Sequence, residues 1–255
     1  VLQVWMNREE FPGIGDCEEN GQTFRANAAQ KALYYSQATD HWCLADDSVR
    51  GCVITGGAEH FSAGADVALF DGIRTAEDAI RTSRVFQEAF QQIEDAPKPV
   101  VAALAGTVVG GALELAMACH CRVAAADCRF RMPEINLGIN PGAGGTQRLP
   151  RLIGLDAALH MLLSAETIDA PRALDSGLVD ALCPREQLVE ESRHQIERHA
   201  QPVRSSRRTD RLGNAAAQEA AFRRAERRVA VARPELIAPR KILDAVRTGI
   251  EQSAQ

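Results

Sequence analysis

The sequence predicts an α/β fold, and three observations carry that prediction. Short apolar runs bounded by glycine and proline have the length and composition of buried strands. Amphipathic stretches of helical period separate them, most clearly over Thr75 to Ala96. Beyond Pro184 the strand-like runs cease and the chain reads as helical throughout. Strands alternating with helices define α/β construction, and a soft boundary near residue 184 divides a core, 1–183, from a C-terminal helical region, 184–255.

Residues 1 to 26 are interrupted by Pro12, Gly13, Gly15 and Gly21 and yield little. A helix fits Asn27 to Ala45, and Val49 to Thr55 is a β-rich run ended by Gly56-Gly57. A small-residue turn follows, Phe61-Ser62-Ala63-Gly64-Ala65-Asp66. Thr75-Ala76-Glu77-Asp78 has the pattern of an N-terminal cap for the next helix, and Pro97 and Pro99 stop it. Pro99 to Leu104 is a second strand, and a turn at Ala105-Gly106 leads to a helix opening near Gly110. Arg122 to Ala126 is a third strand. A tight glycine-rich loop, Ile139 to Thr146, precedes helical runs near Thr146 to Ile153 and Ala157 to Leu163. A short helix from Ala170 turns at Gly177 into a strand over Leu178 to Leu182, and Arg233-Pro234 breaks the last two helices.

With 255 residues and 45% hydrophobic content, the chain can build an ample core without staples. A net charge of -5 excludes general nucleic-acid binding, which calls for a basic surface. Arginine is concentrated between Arg193 and Arg247, so that region offers either a face for an anionic ligand or a solvated face of interspersed Arg and Glu. The seven cysteines show no secretory spacing and no signal peptide ahead of them, so reduced thiols and a cytoplasmic location are expected. Cys119-His120-Cys121 lacks a second ligand pair at zinc spacing, and no metal is expected. The longest apolar stretch, Val100 to Ala118, is broken by Gly106, Gly110, Gly111 and Glu114 and is no membrane span.

Two glutamates stand in unexpectedly apolar company: Glu114, after Gly110-Gly111-Ala112-Leu113, and Glu134, within Met132-Pro133-Glu134-Ile135-Asn136-Leu137-Gly138. A buried carboxylate is costly without a partner or a task, so each is either structurally satisfied or functional. The glycines favour function. A helix starting at Gly110-Gly111 exposes unpaired N–H groups with positive dipole potential, and the absent side chains let an oxygen approach. The turn at Phe61 to Asp66 can offer another N–H, and two such donors on one carbonyl oxygen stabilise an enolate. Gly142-Ala143-Gly144-Gly145-Thr146-Gln147 fails as a dinucleotide fingerprint, because Gln147 replaces the third glycine. No Gly-Lys-Ser/Thr phosphate loop or Gly-x-Ser-x-Gly elbow occurs.

Four motifs in one order resemble the crotonase superfamily, the enoyl-CoA hydratases and isomerases: Phe61 to Asp66, Gly106 to Cys119, Pro133-Glu134-x3-Gly138 and Asn140 to Arg148. The resemblance runs from about Asn27 to Leu182, and Arg224 to Gly249 is similar to the hydratase part of bifunctional fatty-acid oxidation enzymes. It implies a spiral of repeated ββα turns with a C-terminal helical region. By the same resemblance, Gly111 and Ala65 are the oxyanion-hole donors and Glu114 and Glu134 the acid-base pair. Gly142 lies near the catalytic water, Ala63 meets the CoA adenine, and Gly64, Asp66 and Gly110 line the substrate site. The resemblance also leads us to expect the stretch Val67 to Ile80 at the border of the acyl pocket.

The family's Asn-Arg-Pro-like turn before the first helix is replaced here by Thr23-Phe24-Arg25-Ala26, leaving Arg25 as the candidate for a CoA phosphate contact. The implied activity is hydration of a trans-2-enoyl-CoA to a 3-hydroxyacyl-CoA; the alternatives are 3-enoyl-CoA to 2-enoyl-CoA isomerisation and a non-catalytic acyl-CoA-binding role. No separate cofactor is implied, since CoA is part of the substrate. The resemblance also implies a homo-oligomer, trimer or hexamer, assembled through the C-terminal helices.

Overall fold

The computed structural model describes residues 50–56, 60–64, 72–198, 202–232 and 236–253. The helix expected over Asn27 to Ala45, the break at Arg233-Pro234 and residues 67–71 of the expected acyl-pocket border lie outside the described residues, as do Arg25, Ala65 and Asp66.

Strand β1 (Cys52–Thr55) opens a four-stranded parallel sheet in the order β1-β2-β4-β7, with β2 at Val100–Leu104, β4 at Cys121–Ala125 and β7 at Ala181–Cys183. Cys52 pairs with Val100, Val101 with Cys121 and Val123 with Ala181. β2 and β4 are buried along their whole length, which is why β2 runs apolar without alternation and why the one charge in β4, Arg122, is paired with Asp180. After β2 the chain turns at Gly106, whose φ of 59° suits glycine, and enters a second sheet of β3 (Thr107–Val109), β5 (Arg129–Arg131) and β6 (Ile168–Asp169). Ser62 extends that sheet through a parallel bridge to Val108.

Each turn of the chain therefore lays one strand in each sheet and then a helix. β1 and Ser62 lead to α1 (Ala76–Glu94), and β2 and β3 lead to α2 (Gly111–Ala118). β4 and β5 lead to a 3₁₀ turn at Glu134–Leu137 and then to α3 (Gly145–Ile153) and α4 (Leu155–Ser164). This is the spiral of ββα turns expected from the motifs. A capping box starts α1 as the sequence predicts: Asp78 N donates to Thr75 Oγ1 and Thr75 N to Asp78 Oδ2, both at 3.1 Å. α5 (Ala170–Ser176) ends on left-handed Gly177, φ 84°.

The strand expected over Leu178 to Leu182 begins later, at Ala181. Leu178 O is taken by the buried Arg122 Nε at 2.8 Å, and the first main-chain bond to β4 is from Asp180 N to Arg122 O, so the pairing starts only there. The region beyond Pro184 is not wholly helical either. Beyond α6 (Leu188–Arg198), residues 202–214 hold one 3₁₀ turn, Ser205–Arg207, and no α-helix. That stretch brings Ser206 N within 2.7 Å of the buried Glu94 Oε1, a bond a regular helix would withhold from its N–H.

α7 (Ala215–Ala232) then packs on α4, and α8 (Ile237–Ser253) packs on α3. Phe222, Ala225, Ile242 and Val246 join Leu149, Leu152 and Leu159 in one continuous apolar core. Gly249 lets α8 approach closely, since a Cβ there would collide with the Gln147 side chain. Gln147 Nε2 donates to Ala245 O at 2.9 Å, and Arg151 Nη2 to Gly249 O at 2.8 Å.

Candidate active site

Glu114 lies in the first turn of α2 and is 3% exposed. Its Oε1 accepts two main-chain bonds from the glycine-rich loop, from Ala143 N at 2.9 Å and Gly145 N at 2.7 Å. Burial pushes its pKa up, and these two N–H groups and the Arg148 charge oppose that push. Gly145 is needed for the approach: a Cβ there would sit 2.9 Å from Glu114 Oε1 and 2.8 Å from Met132 Cε.

Glu134 faces the same space from the 3₁₀ turn and is 7% exposed. Its Oε2 is buried with no hydrogen-bond partner among the described residues. Burial, with the neighbouring Glu114 as the second cause, raises its pKa to about 7. Oε1 lies against Gly110, where an added Cβ would be 3.0 Å away. Gly110 has φ 56° and ψ -126° and caps α2, a conformation that keeps a side chain out of the path between Glu134 and the helix start.

The N–H groups of Gly111 and Ala112 open α2 with no preceding turn to bond. Gly64, φ 103°, abuts this junction: its Cβ direction points to Val109 O at 2.7 Å and Gly111 N at 3.6 Å. The structure thus brings Gly64, Gly110, Gly111, Glu114, Glu134 and Gly142 around one end of α2, with exposed Ala63 leading into Gly64.

Sequence reasoning missed the supports. Arg148 Nη1 donates to Ala143 O at 3.0 Å, and its Nε and Nη2 donate to Glu94 Oε2 at 3.2 and 2.9 Å. Gln87 Nε2 donates to Gly142 O at 2.7 Å. Arg148 falls inside a quoted motif, so its position was visible, but its partner Glu94 lies 54 residues earlier and carries no local mark.

The side groups are structural. His120 Nδ1 accepts from Val100 N at 2.9 Å, which leaves Nε2 to donate to Glu94 O at 3.1 Å, and burial lowers its pKa. Burial also pushes the Cys119 and Cys121 thiols up to about 12, the opposite of what metal ligation needs. Among the described residues no group of three or more His, Cys, Asp or Glu could hold a metal ion, and no helix is long and apolar enough to cross a membrane. The C-terminal arginines engage neighbours: Arg204 pairs with Asp95, Arg208 with Asp210, Arg224 with Asp156, and Arg247 with Glu219 and Glu226. These pairs have the interspersed Arg and acidic partners of the solvated-face reading.

The fold and the site together define an α/β spiral with two buried carboxylates beside the N–H groups that open a glycine-led helix. The family model described as Enoyl-CoA hydratase/isomerase matches residues 29–233, and the chain belongs to that family. It is 47% identical over 137 residues to a protein named probable enoyl-CoA hydratase in Bacillus subtilis (strain 168), covering 54% of this chain and 53% of that protein. It is 39% identical over 218 residues to the fatty acid oxidation complex subunit alpha of Shewanella sp. (strain MR-4), covering 82% of this chain and 31% of the subunit. The chain thus spans about half or less of the length of these curated relatives. Among solved structures, an enoyl-CoA hydratase from Bacillus anthracis superposes with TM-score 0.56 at 28% identity, over 81% of this chain and 73% of that one. Pseudomonas aeruginosa DspI gives TM-score 0.57 at 30% identity, over 81% and 78%.

Proposed function

We propose that the chain is an enoyl-CoA hydratase, adding water across the double bond of a trans-2-enoyl-CoA to give a 3-hydroxyacyl-CoA. The observation that carries this reading is the asymmetry of the buried pair. Glu114 holds two N–H donors on one oxygen, which favours its charged form, whereas Glu134 has an orphaned buried oxygen, which favours its neutral form. Burial raises the pKa of both carboxyls, so they titrate as a pair, and the donors on Glu114 are the reason for assigning the shared proton to Glu134.

The proposed cycle follows from that distribution. Ionised Glu114 takes a proton from water as its oxygen bonds to the β-carbon. The π electrons pass to the thioester carbonyl, and the resulting enolate oxygen is held by Gly111 N–H and, from outside the described residues, by Ala65 N–H. Protonated Glu134 then delivers its proton to the α-carbon, collapsing the enolate to the thioester. Water, enoyl thioester and product balance once the proton left on Glu114 passes to Glu134 and resets the pair, with no cofactor beyond the CoA that arrives with the substrate. Ala63, Gly64, Asp66, Gly110 and Gly142 are assigned to the substrate surface and Arg25 to a CoA phosphate. Self-association through the C-terminal helices and a reducing, cytoplasmic setting belong to the same proposal.

The test is the ultraviolet absorbance of crotonyl-CoA, which falls as the conjugated double bond is hydrated. Wild type should bleach it, and Glu114→Gln should slow the rate by about 100-fold or more. A wild-type trace that stays flat while 3-enoyl-CoA is converted would identify an isomerase instead; flat traces with both substrates and confirmed CoA binding would identify a binding subunit.

A further inference from the structure

We infer that Gln87 is a positioning residue for the acid-base pair, acting on Glu114 through a single peptide group. Gly142 C=O and Ala143 N–H belong to one planar unit and point in opposite directions. Gln87 Nε2 donates to that carbonyl at 2.7 Å, and the N–H on the far edge donates to Glu114 Oε1 at 2.9 Å. A donor on the carbonyl therefore fixes the rotation of the plane and polarises its N–H toward the carboxylate.

The neighbouring peptide is fixed differently. Ala143 O is held by Arg148 Nη1 at 3.0 Å, and Arg148 is itself anchored by Glu94. The loop thus has a buried anchor on one peptide and a surface anchor on the next. Gln87 sits on α1, which begins at a firm capping box and ends in buried Glu94, so the amide is presented by a rigid element. Ser83, one turn earlier, closes the other side: a Cβ on Gly142 would meet Ser83 Oγ at 3.0 Å.

The charged groups around Glu114 are few. Glu134 faces it from the 3₁₀ turn, and Arg148 faces it from α3 already paired with Glu94 of α1. Among these the N–H bonds are the adjustable influence, and Gln87 controls one of them. Gln87 is exposed, so its loss removes little packing.

Gln87 has this task only if Glu114 is the water-activating base of the proposed hydration, so the experiment includes Glu114→Gln as a reference. Full-length Gln87→Met keeps the length and removes the donor; Gln87→Lys restores a donor. In the crotonyl-CoA assay, Gln87→Met should lose about 10-fold in kcat with KM within about 2-fold, the signature of misplaced chemistry. The acid limb of its kcat–pH profile should move up by about half a unit to one unit, because the ionised carboxylate has lost part of a hydrogen bond. Gln87→Lys should recover most of both, and the melting temperature of each should stay within about 2 °C of wild type.

Wild-type kcat and an unmoved acid limb in Gln87→Met, with Glu114→Gln inactive, would overturn the inference and leave the hydratase reading standing. A kcat loss with an unmoved acid limb, or one tracking a lowered melting temperature, would overturn it in favour of a structural role. Near wild-type hydration by Glu114→Gln would overturn the hydratase mechanism itself and Gln87's role with it.

Discussion

Arg148 Nη2 lies 2.9 Å from Glu94 Oε2, and neither side chain has more than 5% of its surface exposed. Glu94 closes α1 and Arg148 sits in the first turns of α3, so the pair locks the helix that precedes the site to the one that follows it. Its remaining hydrogen bonds run to Ser206 N and Ala143 O, which satisfies both ions.

Breaking this pair from one side should be severe. Glu94→Gln leaves the guanidinium buried against a neutral group, and about 3 to 5 kcal/mol of stability should be lost. Urea unfolding followed by circular dichroism measures it. Replacing both residues by apolar ones of similar volume, Glu94→Leu with Arg148→Met, should cost less than either single change, while hydration still suffers because Ala143 O loses its anchor.

Glu134 should make stability fall with rising pH. Its folded pKa of about 7 stands above the ordinary 4.5, so the folded state holds the extra proton between those values. The contribution is complete below about 4.5 and is lost as pH climbs through about 7. Glu134→Gln cannot ionise, so its advantage over wild type should grow from nothing near pH 4.5 to roughly 3 kcal/mol above about pH 8. Denaturant midpoints for both proteins at the two pH values decide this. Wild-type hydration should decline over the same rise, as the proton donor is lost.

Gly110→Ala should fold poorly and catalyse worse. A φ of 56° with ψ -126° is foreign to alanine, costing about 1 to 3 kcal/mol. The new methyl also arrives 3.0 Å from Glu134 Oε1, so kcat should drop more than the stability loss explains. Activity measured well below the melting transition separates the two effects.

Gly249→Leu should loosen α8. The side chain displaces Gln147 and with it the bond to Ala245 O, and it crowds the carbonyl that Arg151 reaches. Amide hydrogen exchange should accelerate across 237–253, with β2 and β4 unchanged. Equal exchange in α8 would show that Gln147 swings aside at no cost.

The elements longest in sequence were the most legible. Pro99 to Leu104 announced β2 because both faces of that strand are buried, and the Thr75/Asp78 spacing announced the start of α1. β3, β5 and β6 escaped notice, since two or three residues are too few to show a period. Both glutamates were visible as charges in apolar company. Their surroundings were not, because the donors on Glu114 are main-chain groups 29 and 31 residues away. Gln87, 55 residues before the carbonyl it binds, is an ordinary polar residue on an exposed helix position until the fold brings it there.

That Glu114 is held by backbone and not by side chains bears on how the site tolerates inherited change. Ala143 supplies its N–H from the main chain, so a side chain small enough for its buried position, serine or cysteine, keeps the contact, whereas proline, which has no N–H, erases it. Gly145 has no such latitude, because any Cβ crowds the carboxylate. Sequence drift across this loop should therefore be permissive at one donor and closed at the other, although both hold the same oxygen.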